Sequence, residues 1–178
     1  IIAGDVRKVV AGQLTTFFIK TDNTLWGVGG NSQGQLGVGT TTDHIVPILV
    51  AEDVVDVAAG YMHTLYVKAD GSLWSMGHNH TGELFDGTTT PRISPQMVAT
   101  NVVGVAANES TSLVIKADGT LWGSGMNHSS KLGLGHGDYG QVTPMQIAGG
   151  VPLLPGQVTG VVATMEAIAG AIRLNWAA

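Results

Sequence analysis

Histidines are the residues of this 178-residue sequence that could bind a metal ion, and six of them occur. His78, His80 and His128 lie in glycine-punctuated segments, with Glu83 and Asp86 close to the first two. Zinc requires three or four ligands that converge on one point. The spacing matches neither the usual helix pattern nor a zinc knuckle. We therefore expect solvated loop histidines and no bound metal or cofactor, with His78, His80 and His128 as the metal candidates considered.

A second conceivable chemistry is hydrolysis by a serine or threonine nucleophile. His63 could act as the base for Ser72 or for Thr64. Asp70 could then orient the imidazole ring. Neither a nucleophile elbow nor an oxyanion turn surrounds these residues. We predict no catalytic residues, and the chain is not expected to be an enzyme.

These residues belong to a unit that is written three times. Trp26, Trp74 and Trp122 stand 48 positions apart. The same interval separates equivalent lysines, aspartates and asparagines, namely Lys20, Lys68, Lys116, Asp22, Asp70, Asp118, Asn31, Asn79 and Asn127. Such self-similarity indicates one supersecondary unit copied in tandem. The copies span about residues 3–50, 51–98 and 99–148 of a repeat region at 1–150.

Each copy contains two β-favouring runs that predict a hairpin. In the second copy the runs flank an Asp-Gly dipeptide at 70–71, which suits a tight turn. A two-residue turn would place Val67 opposite Trp74. It would also place Leu65 opposite Met76. Both faces of the hairpin are largely apolar, which favours a sheet packed between neighbours.

A short strand precedes each hairpin, and a proline-led run follows it at Pro47, Pro95 and Pro144. Proline suits an edge strand because it cannot donate a ladder hydrogen bond. Four short strands per copy make one blade of a β-propeller. The sequence therefore predicts an all-β protein of three four-stranded repeats of about 48 residues.

The run from His63 to Gly87, HTLYVKADGSLWSMGHNHTGELFDG, resembles the repeat of the regulator of chromosome condensation family. The family pattern is a hairpin ending in tryptophan-glycine, then asparagine, glycine and leucine-glycine. The resemblance covers roughly residues 3–147. It implies a β-propeller that normally closes with seven blades, of which this chain would supply a partial ring. Three glycines of the pattern are replaced, by Asn108, Ser130 and Phe85.

The repeat register ends at Gly149. Residues 151–157 are predicted to form a linker, and residues 158–178 alternate as two strands should. This tail resembles the start of a fibronectin type III domain, with a second strand that ends at Trp176. Two strands cannot complete that sandwich. The chain would then stop inside a domain, or the tail would pack on the last blade.

Charge and composition exclude several classes of partner. The formal net charge is -5 and no lysine or arginine cluster is present, so we expect no nucleic-acid binding. No apolar run is long enough to span a bilayer, so we expect no membrane insertion. The sequence has no cysteine, which excludes disulfides and thiolate metal sites.

Three blades leave two open sheet faces. Each would expose roughly 400 Å² of apolar surface, worth about 10 kcal/mol if covered. We therefore expect either further blades outside this chain or self-association of copies through these faces.

Loops on the rigid blades are the candidate contact surface. The third copy has one extra residue before Pro144, within 136–140. A tolerated surface insertion is the alternative explanation of that loop. The predicted interaction residues are His136, Asp138 and Tyr139, with His80 and Glu83 in the preceding copy.

These features favour a non-catalytic protein-interaction scaffold, a propeller module of a bacterial protein that is extracellular or on the cell surface. One branch of the resembled family inhibits β-lactamases through one propeller face, so a protein inhibitor is a sharper version. The alternative implied by the resemblance is guanine-nucleotide exchange on a small GTPase, which requires a complete ring. No residue identifies the protein partner.

Overall fold

The computed structural model describes residues 4–135, 137–148, 164–168 and 171–175. Three four-stranded antiparallel sheets follow one another along the chain, each with its strands in sequence order. The first blade comprises β1 (Val6–Ala11), β2 (Thr15–Lys20), β3 (Leu25–Gly29) and β4 (His44–Ala51). The second comprises β5 (Val54–Ala59), β6 (His63–Lys68), β7 (Leu73–Gly77) and β8 (Arg92–Ala99). The third comprises β9 (Val102–Asn108), β10 (Thr111–Lys116), β11 (Leu121–Met126) and β12 (Gly140–Ala148), with a 3-10 turn at His128–Ser130.

This architecture confirms the predicted all-β fold of three four-stranded repeats, and it is consistent with the blades of a β-propeller. The outermost strands β4, β8 and β12 contain Pro47, Pro95 and Pro144, as the edge-strand argument predicts. Within the described residues, no helix has the length and hydropathy needed to cross a bilayer.

Beyond the blades, β13 (Thr164–Ile168) and β14 (Ala171–Asn175) pair as an antiparallel two-stranded sheet. A fibronectin-like tail remains a prediction. The predicted linker at 151–157 and Trp176 lie outside the described residues.

The predicted register of the second hairpin is wrong by one residue. Trp74 lies opposite Tyr66, and not opposite Val67. Met76 likewise lies opposite Thr64, and not opposite its predicted partner Leu65. Both faces of the hairpin are nevertheless buried, since five of the six β6 residues are buried.

The register differs because the turn has three residues and not two. The Lys68 N–H donates to the Ser72 carbonyl at 2.9 Å, which closes the loop around Gly71. Gly71 has φ +79°, the left-handed conformation that ends this type of turn. Gly119 occupies the same position in the third blade at φ +80°, and Asn23 in the first at φ +65°.

Two apolar clusters lie between neighbouring sheets. The first joins the first and second blades through Phe17, Ile19, Leu25, Leu36, Val57, Tyr66 and Met76. The second joins the second and third blades through Leu65, Val67, Leu73, Phe85, Val102 and Val114. The middle blade is therefore buried on both of its faces.

The antiparallel order gives each blade two distinct ends. The β1–β2 turn and the long β3–β4 loop leave from one end, as do their counterparts in the other blades. We call this end, with its long loops at 30–43, 78–91 and 127–139, the loop rim. The three-residue turns and the connections between blades form the opposite end, the turn rim.

Candidate interaction surface

One buried asparagine holds each long loop of the loop rim. The Asn79 amide donates to the Thr88 carbonyl at 3.0 Å, and its side-chain oxygen accepts from the Leu84 N–H at 2.9 Å. Asn31 makes both equivalent bonds in the first blade, and the Asn127 side-chain oxygen accepts from the Leu132 N–H in the third. Loops fixed from inside in this way lose little conformational freedom when they bind a partner.

Glu83 was predicted to contact a partner, but the structure places it inside the protein with an exposed fraction of 0%. Its carboxylate accepts from the Thr81 N–H and hydroxyl, both at 2.8 Å, and it bonds to Nδ1 of His78. Burial alone would raise the pKa of Glu83, but these hydrogen bonds outweigh it and the pKa is lowered. Glu83 therefore supports the loop and is not part of its surface.

The three histidines considered as metal ligands have different environments. His78 is bonded to Glu83, and its ring meets the exposed ring of His80 edge-on with centroids 4.2 Å apart. His128 is exposed, with Nδ1 3.1 Å from the hydroxyl of Ser129. In the part of the chain that the structure describes, no group of three or more histidine or acidic residues is arranged to hold a metal ion.

Two of the three predicted contact residues of the third-blade loop, Asp138 and Tyr139, lie on the loop rim. Tyr139 is 63% exposed, and its backbone carbonyl accepts from the Asn127 N–H at 2.8 Å. Asp138 is exposed beside it. His136 lies outside the described residues. The irregular loop thus presents a large aromatic side chain from an anchored backbone.

Sequence reasoning missed Tyr61, which lies in the turn between β5 and β6 and is 39% exposed. Its N–H donates to the Glu109 carbonyl of the third blade at 2.8 Å, so the turn is fixed across the blade interface. Exposed aromatic residues on rigid turns are typical of energetic hot spots. The only signal in the repeat is that this position varies, from Gln13 to Tyr61 to Glu109.

Two of the residues considered for hydrolysis, Ser72 and Asp70, form part of the turn rim. The Ser72 hydroxyl donates to Asp70 at 2.6 Å and accepts from Nε1 of Trp74 at 2.9 Å. The hydrogen bond from Ser72 lowers the pKa of Asp70. Thr24 and Thr120 make the same two bonds in the other blades. The same two hydrogen bonds in all three blades explain why aspartate, serine or threonine, and tryptophan recur at these positions.

His63 has a different partner from the one that hydrolysis would require. Its Nε2 lies 3.0 Å from the hydroxyl of Ser112. Ser112 donates its proton to the Glu83 carbonyl at 2.6 Å, so His63 Nε2 must be the donor to Ser112. Burial lowers the pKa of His63 to about 4, which keeps the ring neutral. Thr64 donates to a backbone carbonyl of the first blade.

Consecutive four-stranded meanders, packed face to face with exposed loops on one rim, are consistent with the blades of a β-propeller. Residues 22–67 match the family model described as Regulator of chromosome condensation (RCC1) repeat. A second model of the same description matches residues 6–35 and 54–83. Together the matches cover residues 6–83, and over this part the chain is similar to RCC1 repeats.

Solved structures give the same fold. Prp20p from Saccharomyces cerevisiae is 22% identical with a TM-score of 0.73, over 82% of this chain and 39% of that one. Human WBSCR16 is 24% identical with a TM-score of 0.70, over 80% of this chain and 39% of that one. Yeast RCC1 (Prp20) bound to Kap60 is 24% identical with a TM-score of 0.71, over 82% and 37%.

The chain thus spans about two fifths of the length of the solved structures that it matches. At these identities the likeness concerns the fold alone. No curated protein sequence matches the chain at a significant level.

Proposed function

We propose that the chain is a non-catalytic interaction module that binds a protein partner through its loop rim. The observation that supports this most is the pairing of rigid loops with exposed aromatic side chains. Tyr139 and Tyr61 are exposed, and hydrogen bonds fix the backbone at each of them. His80 is also exposed, in the long loop of the second blade. Rigid aromatic anchors bind with a small loss of side-chain entropy.

The proposed setting is a secreted or surface protein of a bacterium. The resemblance of residues 158–178 to the start of a fibronectin type III domain supports this, because such domains accompany surface modules. The net charge of -5 supports a protein partner over nucleic acid. A protein inhibitor is the sharper version of this function, since a rigid rim that fills an enzyme cleft needs no chemistry of its own.

A second candidate is exchange-factor-like binding to a small GTPase. The described binding of Prp20p to Gsp1p and histones belongs to that protein. Its fold likeness to this chain, with a TM-score of 0.73, is the observation that supports the candidate. The chain covers only 39% of Prp20p, which leaves most of that propeller without a counterpart here.

The experiment compares binding by the unaltered chain with a Tyr61→Ala/Tyr139→Ala variant. The immobilised proteins are exposed to bacterial surface and culture-supernatant proteins, and separately to a purified small GTPase with and without bound nucleotide. Captured partners are then purified and titrated. We expect one secreted or surface partner whose affinity falls at least tenfold in the variant, because hot-spot aromatics carry most of the binding energy.

A Glu52→Ala/Thr100→Ala variant serves as the control, since both residues are exposed on the turn rim. Equal loss of affinity in the control would place the binding surface elsewhere and refute the proposal. Tight binding to the nucleotide-free GTPase alone would favour the second candidate.

We further propose that the free faces of the first and third blades are covered in the native assembly. Further blades or a second copy of the chain are the possible occupants, because an exposed sheet face of this kind is a site of association.

A further inference from the structure

A cleft of about 850 Å³ opens between the second and third blades, beside the tryptophan of the third. Its wall on the second blade includes Phe85, Asp86 and Val98. Its wall on the third blade includes Lys116 and Trp122. Clefts of roughly 300–1,000 Å³ with apolar and aromatic walls and a few polar groups are typical of ligand sites.

The same positions are packed differently at the interface between the first and second blades. There, four of them are occupied by residues that pack against the first apolar cluster, namely Val38, Val50, Ala51 and Trp74. Their counterparts 48 positions later all line the cleft, namely Asp86, Val98, Ala99 and Trp122. Comparison of the two interfaces therefore shows what the second one lacks.

An aromatic ring lies beside the repeat tryptophan in the first two blades. Tyr66 lies opposite Trp74 on the neighbouring strand and is 2% exposed. The two rings are parallel, with centroids 6.3 Å apart. Phe18 and Trp26 form the same pair at 6.5 Å. Lys68 also lies over the indole of Trp74, at 5.4 Å, so one tryptophan accommodates both a lysine and a ring.

Val114 stands at this position in the third blade. It lies opposite Trp122 and is fully buried, but it has no ring. Lys116 lies over Trp122 at 4.2 Å, as its counterparts do in the other blades. Within the described residues, no aromatic ring lies parallel to Trp122 at a comparable distance. The tryptophan of the third blade thus borders the cleft where its counterparts border a ring.

The bulk of Phe85 matches a different exchange. A Cβ atom at Gly37, its counterpart in the first blade, would lie 2.5 Å from the sulfur of Met76. Met76 corresponds to the smaller Ser124 in the third blade. Phenylalanine in place of glycine therefore accompanies serine in place of methionine. The ring that is missing at Val114 has no such substitute.

Carboxylates in the cleft can accept a hydrogen bond from a ring that carries a donor. Oδ1 of Asp86 already accepts from Thr88 and Asn79. Its Oδ2 accepts one bond, from Arg92 at 3.2 Å, and has a lone pair for a second donor. Asp118 lines the same cleft. A phenol hydroxyl would form a charge-assisted bond to either carboxylate.

The size of the cleft favours a peptide over a single small ring. A volume of about 850 Å³ is several times that of a phenol ring, so the walls can also contact the residues on either side of an aromatic side chain. Aromatic side chains that enter a pocket are typical anchors of protein interfaces.

We propose that this cleft binds a peptide segment of a partner protein and seats one tyrosine side chain beside Trp122, where Tyr66 lies beside Trp74. The inference rests on the proposed binding of a protein partner for its biological role. It concerns a separate contact, because neither Tyr61 nor Tyr139 lines the cleft.

The test titrates the isotope-labelled chain with the blocked peptide acetyl-glycyl-tyrosyl-glycine amide and follows the indole N–H signals by nuclear magnetic resonance. We expect a dissociation constant below about 1 mM. The signal of the Trp122 N–H, which donates to Thr120 at 2.8 Å, should shift. The same peptide with leucine in place of tyrosine should bind about tenfold more weakly, because it has no ring.

Two variants close the cleft in different ways. Val114→Tyr supplies the ring that the second blade has, and it should weaken peptide binding at least tenfold without lowering the melting temperature. Ala117→Trp places a large side chain at the exposed edge of the cleft and should weaken binding as much. Ala69→Trp is the matched control at the first interface, where Tyr66 is already present, and should leave binding unchanged.

Four results would overturn the proposal. They are unchanged binding in Ala117→Trp, unchanged binding in a folded Val114→Tyr, equal affinity for the leucine peptide, and equal affinity for p-cresol, which would make the ligand a single ring and not a peptide. If Val114→Tyr does not fold, Ala117→Trp decides alone. The Tyr61→Ala/Tyr139→Ala variant should bind the tyrosine peptide like the unaltered chain, so this proposal and the loop-rim proposal fail separately.

Discussion

His63 remains uncharged between the second and third blades because burial opposes its protonation. Its repeat counterparts are Thr15 and Thr111, so the histidine is specific to the middle blade. The ring donates to Ser112, and Ser112 donates to the backbone at Glu83, which links three chain segments at one buried point. This link makes the interface sensitive to acid.

We predict that stability falls as the pH is lowered from about 6.5 to 4. The pKa of His63 is lowered from 6.5 to about 4 in the folded chain, so the unfolded chain takes up the proton first. The stabilisation is complete above pH 6.5 and is lost on the way down to 4, by up to about 3 kcal/mol. Urea denaturation at pH 7 and pH 5 measures the loss.

A His63→Gln variant should reduce this dependence, because glutamine keeps a donor for Ser112 without titrating. The exposed His128→Gln variant is the control and should leave the dependence unchanged. The lowered pKa of Glu83 adds to the loss of stability mainly below its usual value of 4.5, and the measurements at pH 7 and pH 5 both lie above that value. A slope that is equal in all three proteins would contradict the assignment.

Phe85 combines two opposing effects at one residue. Its backbone has φ +64°, where repeat counterparts are glycine, but its ring is 5% exposed in the second interblade cluster. For Phe85→Gly, relief of backbone strain is worth about 1–2 kcal/mol. Loss of a buried phenylalanine costs about 3–5 kcal/mol. We therefore expect a net loss of about 1–4 kcal/mol in denaturant titration.

Ser130→Gly isolates the backbone part of this comparison, because Ser130 has a similar φ of +55° and an exposed side chain. This variant should gain stability by about 1 kcal/mol. A stabilising Phe85→Gly would show that the ring contributes little to the interface.

At the scale of the element, the turn of each hairpin is defined by a recurring unit. An aspartate accepts from the hydroxyl two residues later, and that hydroxyl accepts from a tryptophan two residues further on. The sequence predicted the hairpin and the aspartate in its turn. It did not predict the third loop residue, because Asp-Gly serves two-residue and three-residue turns alike. The one-residue error in register followed from that choice.

Gly119→Ala should test the cost of the turn conformation by itself. Gly119 has φ +80°, and a Cβ atom there would meet no heavy atom within 4 Å. The expected loss is therefore conformational only, about 1–2 kcal/mol. Thermal melting followed by circular dichroism measures it.

Asn23→Gly is the matched reverse change at the equivalent turn position, with φ +65°. It should change stability by less than about 1 kcal/mol, because relief of the backbone strain offsets loss of the exposed bond that the Asn23 side chain accepts from Arg7 at 2.9 Å. A loss in Asn23→Gly as large as that in Gly119→Ala would contradict the turn assignment.

At the scale of the whole molecule, the 48-residue periodicity predicted three four-stranded sheets, and the apolar faces of the hairpin predicted that the sheets pack against neighbours. Spacing and apolar pattern are both features that a sequence shows directly. The surface was predicted less well. Glu83 was assigned to a contact surface, yet it is buried because His78 and Thr81 bond to it from neighbouring loop positions. Tyr61 was overlooked because exposure in a turn depends on which blade follows it.

The asparagine at the base of each long loop has a consequence for protein engineering. Asn79 fixes the course of its loop by bonds to the main chain, so the shape does not depend on which side chains the loop displays. Residues such as His80 and Thr89 point outward and can be randomised while the frame is retained. A combinatorial library on one loop would sample new specificities without a search for new backbones.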